Sequence, residues 1–294
     1  MGPRFLFLIL FALPLAAQER EQRYTMISDV PNCTGGGKPL LMDLFIPKHR
    51  TRTPTPAILW IHGGGWERGD KNGNSGALLL ANEGFVTASL FYRLGGDSPF
   101  PADIEDCKCA IRFLRANASK YGIDPERIGV AGASAGGHLA ELVATAGRNA
   151  GLEGDGGWQN VSSKVQAAAA YYGASDFTVG ATEFQHHTGQ VVLKLVRGSE
   201  KDKPDLYRQA SPLFHVSKDS PPLLLAHGEQ DDLVPFDQSV RVAEAYRRLG
   251  LPVEFIAVKN AGHDFALAGD APVSPSVDFI HQRTIEFFRR CLVP

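Results

Sequence analysis

The stretch from Ile128 to Ala140, IGVAGASAGGHLA, constrains this chain more than any other. Ile128-Gly129-Val130-Ala131 is a short apolar run suited to a buried strand. Gly137 to Ala146 reads as a helix of small and apolar residues. Between them lies Gly132-Ala133-Ser134-Ala135-Gly136. A serine with glycines two positions before and two after, on a strand-to-helix turn, has the form of a nucleophile elbow. The turn is so tight that side chains at 132 and 136 would collide with it, so glycine fits both. Ser134 is thereby pushed out above the sheet edge, over the positive end of the helix that follows. The backbone N–H of Ala135 then points to where an oxyanion would form.

A second motif stands beside the first. Ala57-Ile58-Leu59-Trp60-Ile61 reads as a buried strand and runs straight into His62-Gly63-Gly64-Gly65-Trp66. Three glycines after a strand let the backbone approach a ligand closely with its N–H groups free. Such a loop supplies the other half of an oxyanion hole, and the N–H groups of Gly64 and Gly65 are assigned to it. His62 is expected to orient the loop by hydrogen bonds rather than act as a base, and Trp66 to pack.

A serine hydroxyl is a weak nucleophile; it needs a base, and the base needs an orienting carboxylate. Behind an elbow these follow the serine in the order acid, then histidine, each on a loop after a strand. Ser134, Asp231 and His263 occur in that order. Asp231 and His263 fall just past the last two expected strands, at the edge of a parallel sheet where reacting groups belong. Glu229 and Asp232 are the rivals for the acid. Asp231 is preferred because Asp232-Leu233-Val234-Pro235 reads as the start of the next turn. Asp264 is read as a loop-fixing carboxylate. This chemistry calls for no metal and no organic cofactor.

Strand patterns at Leu40–Ile46, Phe85–Tyr92, Ala167–Tyr172, Pro222–Ala226 and Val253–Val258 join those already named. Helical patterns fill Ser75–Glu83, Asp103–Ala118, Gln238–Leu249 and Val277–Cys291, with Tyr121–Pro125 as a turn. The polar, glycine-rich residues 18–39 read as an edge strand and a turn. Strands alternating with helices predict a single α/β domain over 18–294, its mostly parallel sheet covered on both faces. Residues 173–221 lack a strand pattern and suit a cap or substrate-shaping insertion. His186-His187 within it are read as loop residues rather than metal ligands.

With 294 residues the chain suits one large domain. A formal net charge of −2 gives no reason to expect nucleic acid or an anionic membrane surface as partner. The first 17 residues differ: Arg4, the apolar run Phe5 to Leu13, then Pro14-Leu15-Ala16-Ala17 read as a secretory signal peptide. The run is too short for a spanning helix, which needs about 20 apolar residues. Export permits disulfides among Cys33, Cys107, Cys109 and Cys291. Cys107 and Cys109 face different directions on one helix and should not pair with each other. The cysteines are read chiefly as buried small hydrophobes, with one long-range bridge from Cys33 or Cys291 as the alternative.

The segments GASAG, HGGGWERGDK, HGEQDDLVP and AGHDF together resemble the α/β-hydrolase superfamily. The chain is most similar to HGGG-type esterases, in particular bacterial feruloyl and acetyl-xylan esterase-like enzymes, over about residues 38–290. That resemblance implies an α/β-hydrolase fold. It implies Ser134 as nucleophile, Asp231 as acid, His263 as base, and Gly64, Gly65 and Ala135 as oxyanion donors. The substrate it implies is a small-molecule or polysaccharide ester. The leader pattern of residues 1–17, for its part, implies a secreted or periplasmic protein with no stable membrane anchor. Two other readings stay open. Kynurenine-formamidase-like enzymes share the loop and cleave an amide, and a non-catalytic hydrolase-like binding protein shares the fold.

Overall fold

The computed structural model describes residues 23–50, 54–179, 184 and 186–293; residues 1–17, read above as a leader, lie outside them. In chain order the elements are β1 (Tyr24–Gly35), β2 (Lys38–Pro47), β3 (Thr55–Ile61), α1 (Ser75–Asn82) and β4 (Val86–Leu90). Next come α2 (Ala102–Ala116), α3 (Ala118–Tyr121), β5 (Ile123–Ala133), α4 (Ala135–Thr145) and β6 (Ala167–Tyr171). The remainder is α5 (His186–Val196), α6 (Pro204–Gln209), β7 (Leu223–Gly228), α7 (Asp237–Arg248), β8 (Val253–Val258) and α8 (Val277–Leu292).

The strands form one sheet in the order β1-β2-β4-β3-β5-β6-β7-β8. β1 pairs with β2, and β2 with β4, antiparallel; every other pair is parallel. The central strands read as continuous apolar runs because both sheet faces are covered. Alternate residues of β3 separate accordingly. Ala57, Leu59 and Ile61 join the core with α2, α4 and α7, while Ile58 and Trp60 join the core with α1 and α8.

The strand order reverses at β3. The chain crosses from β3 to β4 on one side, then returns to β5 on the other. Loops leaving β3 and β5 therefore emerge side by side at the carboxyl end of the sheet, the place where open α/β sheets bind ligands. Ile61, the last residue of β3, pairs with Gly132 of β5. The two glycine motifs, about 70 residues apart in sequence, meet because of this pairing.

Three expectations need correction. Cys33 on β1 and Cys109 on α2 form a disulfide, while Cys107 is free and buried and Cys291 free and half-buried. The separation of the directions of Cys107 and Cys109 holds: one bonds to the edge strand, the other faces the core. β5 begins at Ile123 instead of Ile128, because Thr55 at the start of β3 pairs with Ile123 and extends the ladder past the expected turn. His186 and His187 open α5 instead of lying in a loop. Residues 173–221 otherwise carry α5 and α6 and no strand among the described residues.

The elbow leaves no room for side chains. A Cβ on Gly136 would lie 2.1 Å from the carbonyl oxygen of Ile61, and one on Gly132 would lie 2.2 Å from that of Gly136. Both obstacles are backbone, which cannot step aside. Gly136→Ala should therefore lower stability by about 1–3 kcal/mol or more. Gly147→Ala, where an added Cβ meets nothing within 4 Å, should leave it unchanged. Thermal denaturation of the two variants beside the wild type checks the contrast.

Candidate active site

Ser134 stands between β5 and α4 with φ 56° and ψ −122°, a backbone conformation that costs a non-glycine residue free energy. Two backbone hydrogen bonds hold it there: Ser134 N–H donates to Tyr171 O at 2.9 Å, and His138 N–H donates to Ser134 O at 3.0 Å. The strain is local and the restraint comes from the sheet and from the first turn of α4. Ser134 lines the floor of a cavity of about 1000 Å³.

Asp231 follows β7 and His263 follows β8, so the parallel sheet delivers both to the edge where Ser134 emerges. Ser134 Oγ lies 2.9 Å from His263 Nε2. His263 Nδ1 lies 2.7 Å from Asp231 Oδ2. A carboxylate only accepts, so Nδ1 carries the proton and donates it to Asp231; Nε2 is then the free base toward the serine hydroxyl. The ring of Tyr172, itself at φ 40°, packs edge-on against His263 with centroids 4.7 Å apart.

Asp231 has a fully buried side chain. Burial alone would raise its pKa. The adjacent His227 and His263 rings, of which His263 donates a hydrogen bond, and the Val234 N–H outweigh that and hold the carboxyl well below the usual range. The donors are placed by the local turn: Leu233 N–H and Val234 N–H both reach Oδ1 at 2.9 Å. His227, wholly buried, stands 3.3 Å from Oδ2 through Nε2, and its Nδ1 meets Ser239 Oγ at 2.7 Å. Among the described residues His263 pairs with Asp231, and the rival acids Asp232 and Glu229 make no hydrogen bond or ion pair with it.

Across the cavity runs the loop after β3. Gly64 has φ 114°, and a Cβ there would lie 2.1 Å from Arg68 O, so glycine is required. Gly65 has φ 60°. Gly63, Gly64 and Gly65 line the cavity beside Ser134, and Ala135 heads α4, where the first N–H groups have no helical acceptor. His62 behaves as a loop support: its Nδ1 is 2.7 Å from Gly63 O, and Tyr92 stacks on its ring at 4.3 Å and donates its hydroxyl to His62 O at 3.1 Å. Trp66 is buried, and its indole N–H donates to His138 Nδ1 at 3.0 Å. Thr188 and Val191 of α5 reach the cavity, so part of the insertion covers the site. The rim toward Arg68, Asp70, Asn72 and Asn74 is polar.

Three contributors were not singled out in the sequence: His138, His227 and Tyr172. His138 lies one helical turn after Ser134, a spacing that puts both on one face and was available as a signal. His227 and Tyr172 matter through contacts made only in the folded sheet.

On the elbow helix α4 itself, Glu141 is fully buried and accepts one hydrogen bond, from Ser175 Oγ at 2.7 Å. Burial pushes its carboxyl up to about 8, against one opposing hydrogen bond. Its folded pKa thus exceeds its unfolded one. The stability it contributes is fully present below pH about 4.5 and is lost as pH rises through about 8. Glu141→Gln should melt close to the wild type near pH 4 and above it near pH 9, as measured by thermal denaturation across that range.

The sequence model of the BD-FAE family matches residues 42–246. Esterase LipQ of Mycobacterium tuberculosis is 34% identical over 82% of this chain and 58% of its own length. Esterase LipC of the same organism is 30% identical over 91% of this chain and 66% of its own length. The chain thus spans somewhat more than half the length of these curated relatives. Among solved structures, a truncated carbohydrate esterase from gut microbiota superposes with a TM-score of 0.81 at 27% identity, covering 93% of this chain and 99% of that one. An acetyl ester-xyloside bifunctional hydrolase from Caldicellulosiruptor lactoaceticus superposes with a TM-score of 0.71 at 28% identity, covering 91% and 96%. The architecture is that of an α/β hydrolase, in a single domain.

Proposed function

The chain belongs to the BD-FAE family, and from that premise we propose that it is a serine hydrolase of carboxylic esters with Ser134 as nucleophile, His263 as base and Asp231 as the acid that orients it. The observation that carries this reading is the unbroken chain of contacts from Ser134 Oγ to His263 Nε2 at 2.9 Å and from His263 Nδ1 to Asp231 Oδ2 at 2.7 Å, ending in a cavity. Esterases among its relatives support the reaction class.

His263 takes the Ser134 proton as Oγ adds to the ester carbonyl carbon. The former carbonyl oxygen, now an oxyanion, receives hydrogen bonds from the N–H groups of Gly64, Gly65 and Ala135, each worth about 3–4 kcal/mol in the transition state. Collapse of the tetrahedral intermediate breaks the bond to the alcohol oxygen, and His263 returns the proton to that leaving group. Water then repeats the sequence on the acyl-enzyme and frees the acid. Asp231 stays ionised throughout, because its hydrogen-bond donors hold its pKa down, and so fixes the tautomer that presents Nε2 to the serine.

For the substrate we take short-chain acyl esters or acyl groups on sugars, acetyl or feruloyl. The polar rim near Arg68, Asp70, Asn72 and Asn74 suits a hydroxyl-rich alcohol portion, and the carbohydrate esterase among the structural neighbours agrees with it. For the compartment we take export: the leader-like residues 1–17 and the Cys33–Cys109 disulfide both suit an oxidising environment.

Ser134→Ala should lower turnover of p-nitrophenyl acetate by about 10⁴-fold or more, and Asp231→Asn by about 10⁴-fold. Both variants should keep the wild-type circular dichroism spectrum. Acetylated xylan and methyl ferulate assayed in parallel identify the alcohol and acyl preferences. Wild-type turnover in Ser134→Ala would refute the nucleophile assignment.

A further inference from the structure

Three segments that the mechanism treats separately converge on one buried histidine. His138 sits on α4 one turn after Ser134 and is fully buried. From the loop after β3, Trp66 donates its indole N–H to His138 Nδ1 at 3.0 Å. From the insertion, the carbonyl oxygen of Ala210 lies 2.7 Å from His138 Nε2. An indole N–H only donates and a carbonyl only accepts. Nδ1 must therefore be the acceptor and Nε2 must carry the proton, which fixes one neutral tautomer. Burial lowers the His138 pKa to about 4, so this neutral form persists well into acid.

The aromatic surroundings hold the same arrangement. Phe177 of the insertion packs on the His138 ring at 4.8 Å and on Trp66 at 5.6 Å, and Trp66 meets His138 edge-on at 5.3 Å. Trp66 lies at φ 57°, a conformation its own backbone would not choose, and its carbonyl accepts from Gly95 N–H at 2.7 Å. The residue next to Gly65 is thus anchored by backbone to one segment and by side chain to the elbow helix.

We propose that His138 is a positioning residue of the oxyanion hole, setting through Trp66 the separation between the Gly64 and Gly65 N–H groups on one side and the Ala135 N–H on the other. This rests on the serine-hydrolase reading above. The physical reason is that the hole is assembled from two independent backbone segments. β3 and β5 align their starts, and the indole-to-imidazole hydrogen bond ties their far ends. A displacement of about 1 Å at such a site costs up to about a hundredfold in rate. The bond from Nε2 to Ala210 makes the insertion a third party to that spacing.

The test compares the full chain with Trp66→Phe, His138→Phe and the double variant. Two quantities are measured: kcat and KM for p-nitrophenyl acetate, and the inhibition constant of an aryl trifluoromethyl ketone. Ser134 Oγ adds to the ketone carbon, its proton passes to His263, and the resulting hemiketal oxyanion occupies the hole. Each single variant should lose about 10- to 100-fold in kcat and weaken the ketone by a similar factor, with KM within about twofold. The double variant should be no worse than the poorer single one, since both remove the same bond. Trp66→Phe keeps an aromatic ring in place and decides the matter alone where His138→Phe does not fold. Variants that melt earlier yet retain wild-type kcat and ketone affinity would make His138 a packing residue and overturn the proposal. So would equal losses in KM and ketone affinity at unchanged kcat. A wild-type protein inert toward both ester and ketone would overturn the serine-hydrolase reading together with this one, whereas an active wild type with unaffected variants overturns this one alone.

Discussion

The parallel pairing of β3 with β5 is the contact on which the site depends. It sets Ile61 opposite Gly132, so the elbow and the glycine loop leave the sheet next to each other. The approach is close enough that Gly136 lies directly against the Ile61 and His62 carbonyl oxygens. Everything nearby follows from that closeness. The elbow has no room for side chains at two positions, the serine between them takes a strained backbone, and α4 starts with its N–H groups turned toward the loop. The strain at Ser134 persists because two flanking backbone hydrogen bonds over-determine it, one to β6 and one within α4.

Two carboxyl groups close to the elbow show how the surroundings divide similar chemistry. Asp231 and Glu141 both have buried side chains, and in both burial is the largest influence, opposing ionisation. Asp231 receives two backbone N–H groups and the His263 Nδ1–H, with the His227 ring 3.3 Å away, and remains an anion. Glu141 receives one hydroxyl, and its pKa rises to about 8. The number of donors decides the outcome. The anion beside His263 is supplied with three, while the acid on α4 is kept neutral near pH 7 and serves as a hydrogen-bond acceptor without a charge to solvate.

Much of this was legible in the amino-acid order, and the reasons differ by residue. Ser134 and Gly132 are fixed by sterics within the turn, so a five-residue window sufficed; Gly136 fits the same pattern, but the obstacle that excludes a side chain there is the Ile61 carbonyl of β3. The central strands were visible because burial on both faces makes β3, β6 and β7 uninterrupted apolar runs. Asp231 and His263 were located by order along the chain and by their place after the last two strands; their approach to Ser134 is a property of the sheet. Long-range pairings were not legible. The Cys33–Cys109 bridge depends on α2 packing against the edge strand, across 76 residues of sequence. The early start of β5 depends on a single rung with Thr55. His138 and His227 carry no sequence motif of their own, because their importance lies in which neighbours donate and which accept.

The central claim is that Ser134 is the activated nucleophile of this site. The most direct measurement is mass spectrometry of the intact chain, then of its peptides, after reaction with an alkyl fluorophosphonate. Such a probe bonds to an activated serine with loss of fluoride. The account predicts a single adduct on the peptide carrying Ser134, and no adduct in His263→Ala under the same conditions. Labelling at another residue, or none in a folded wild-type protein, would contradict it.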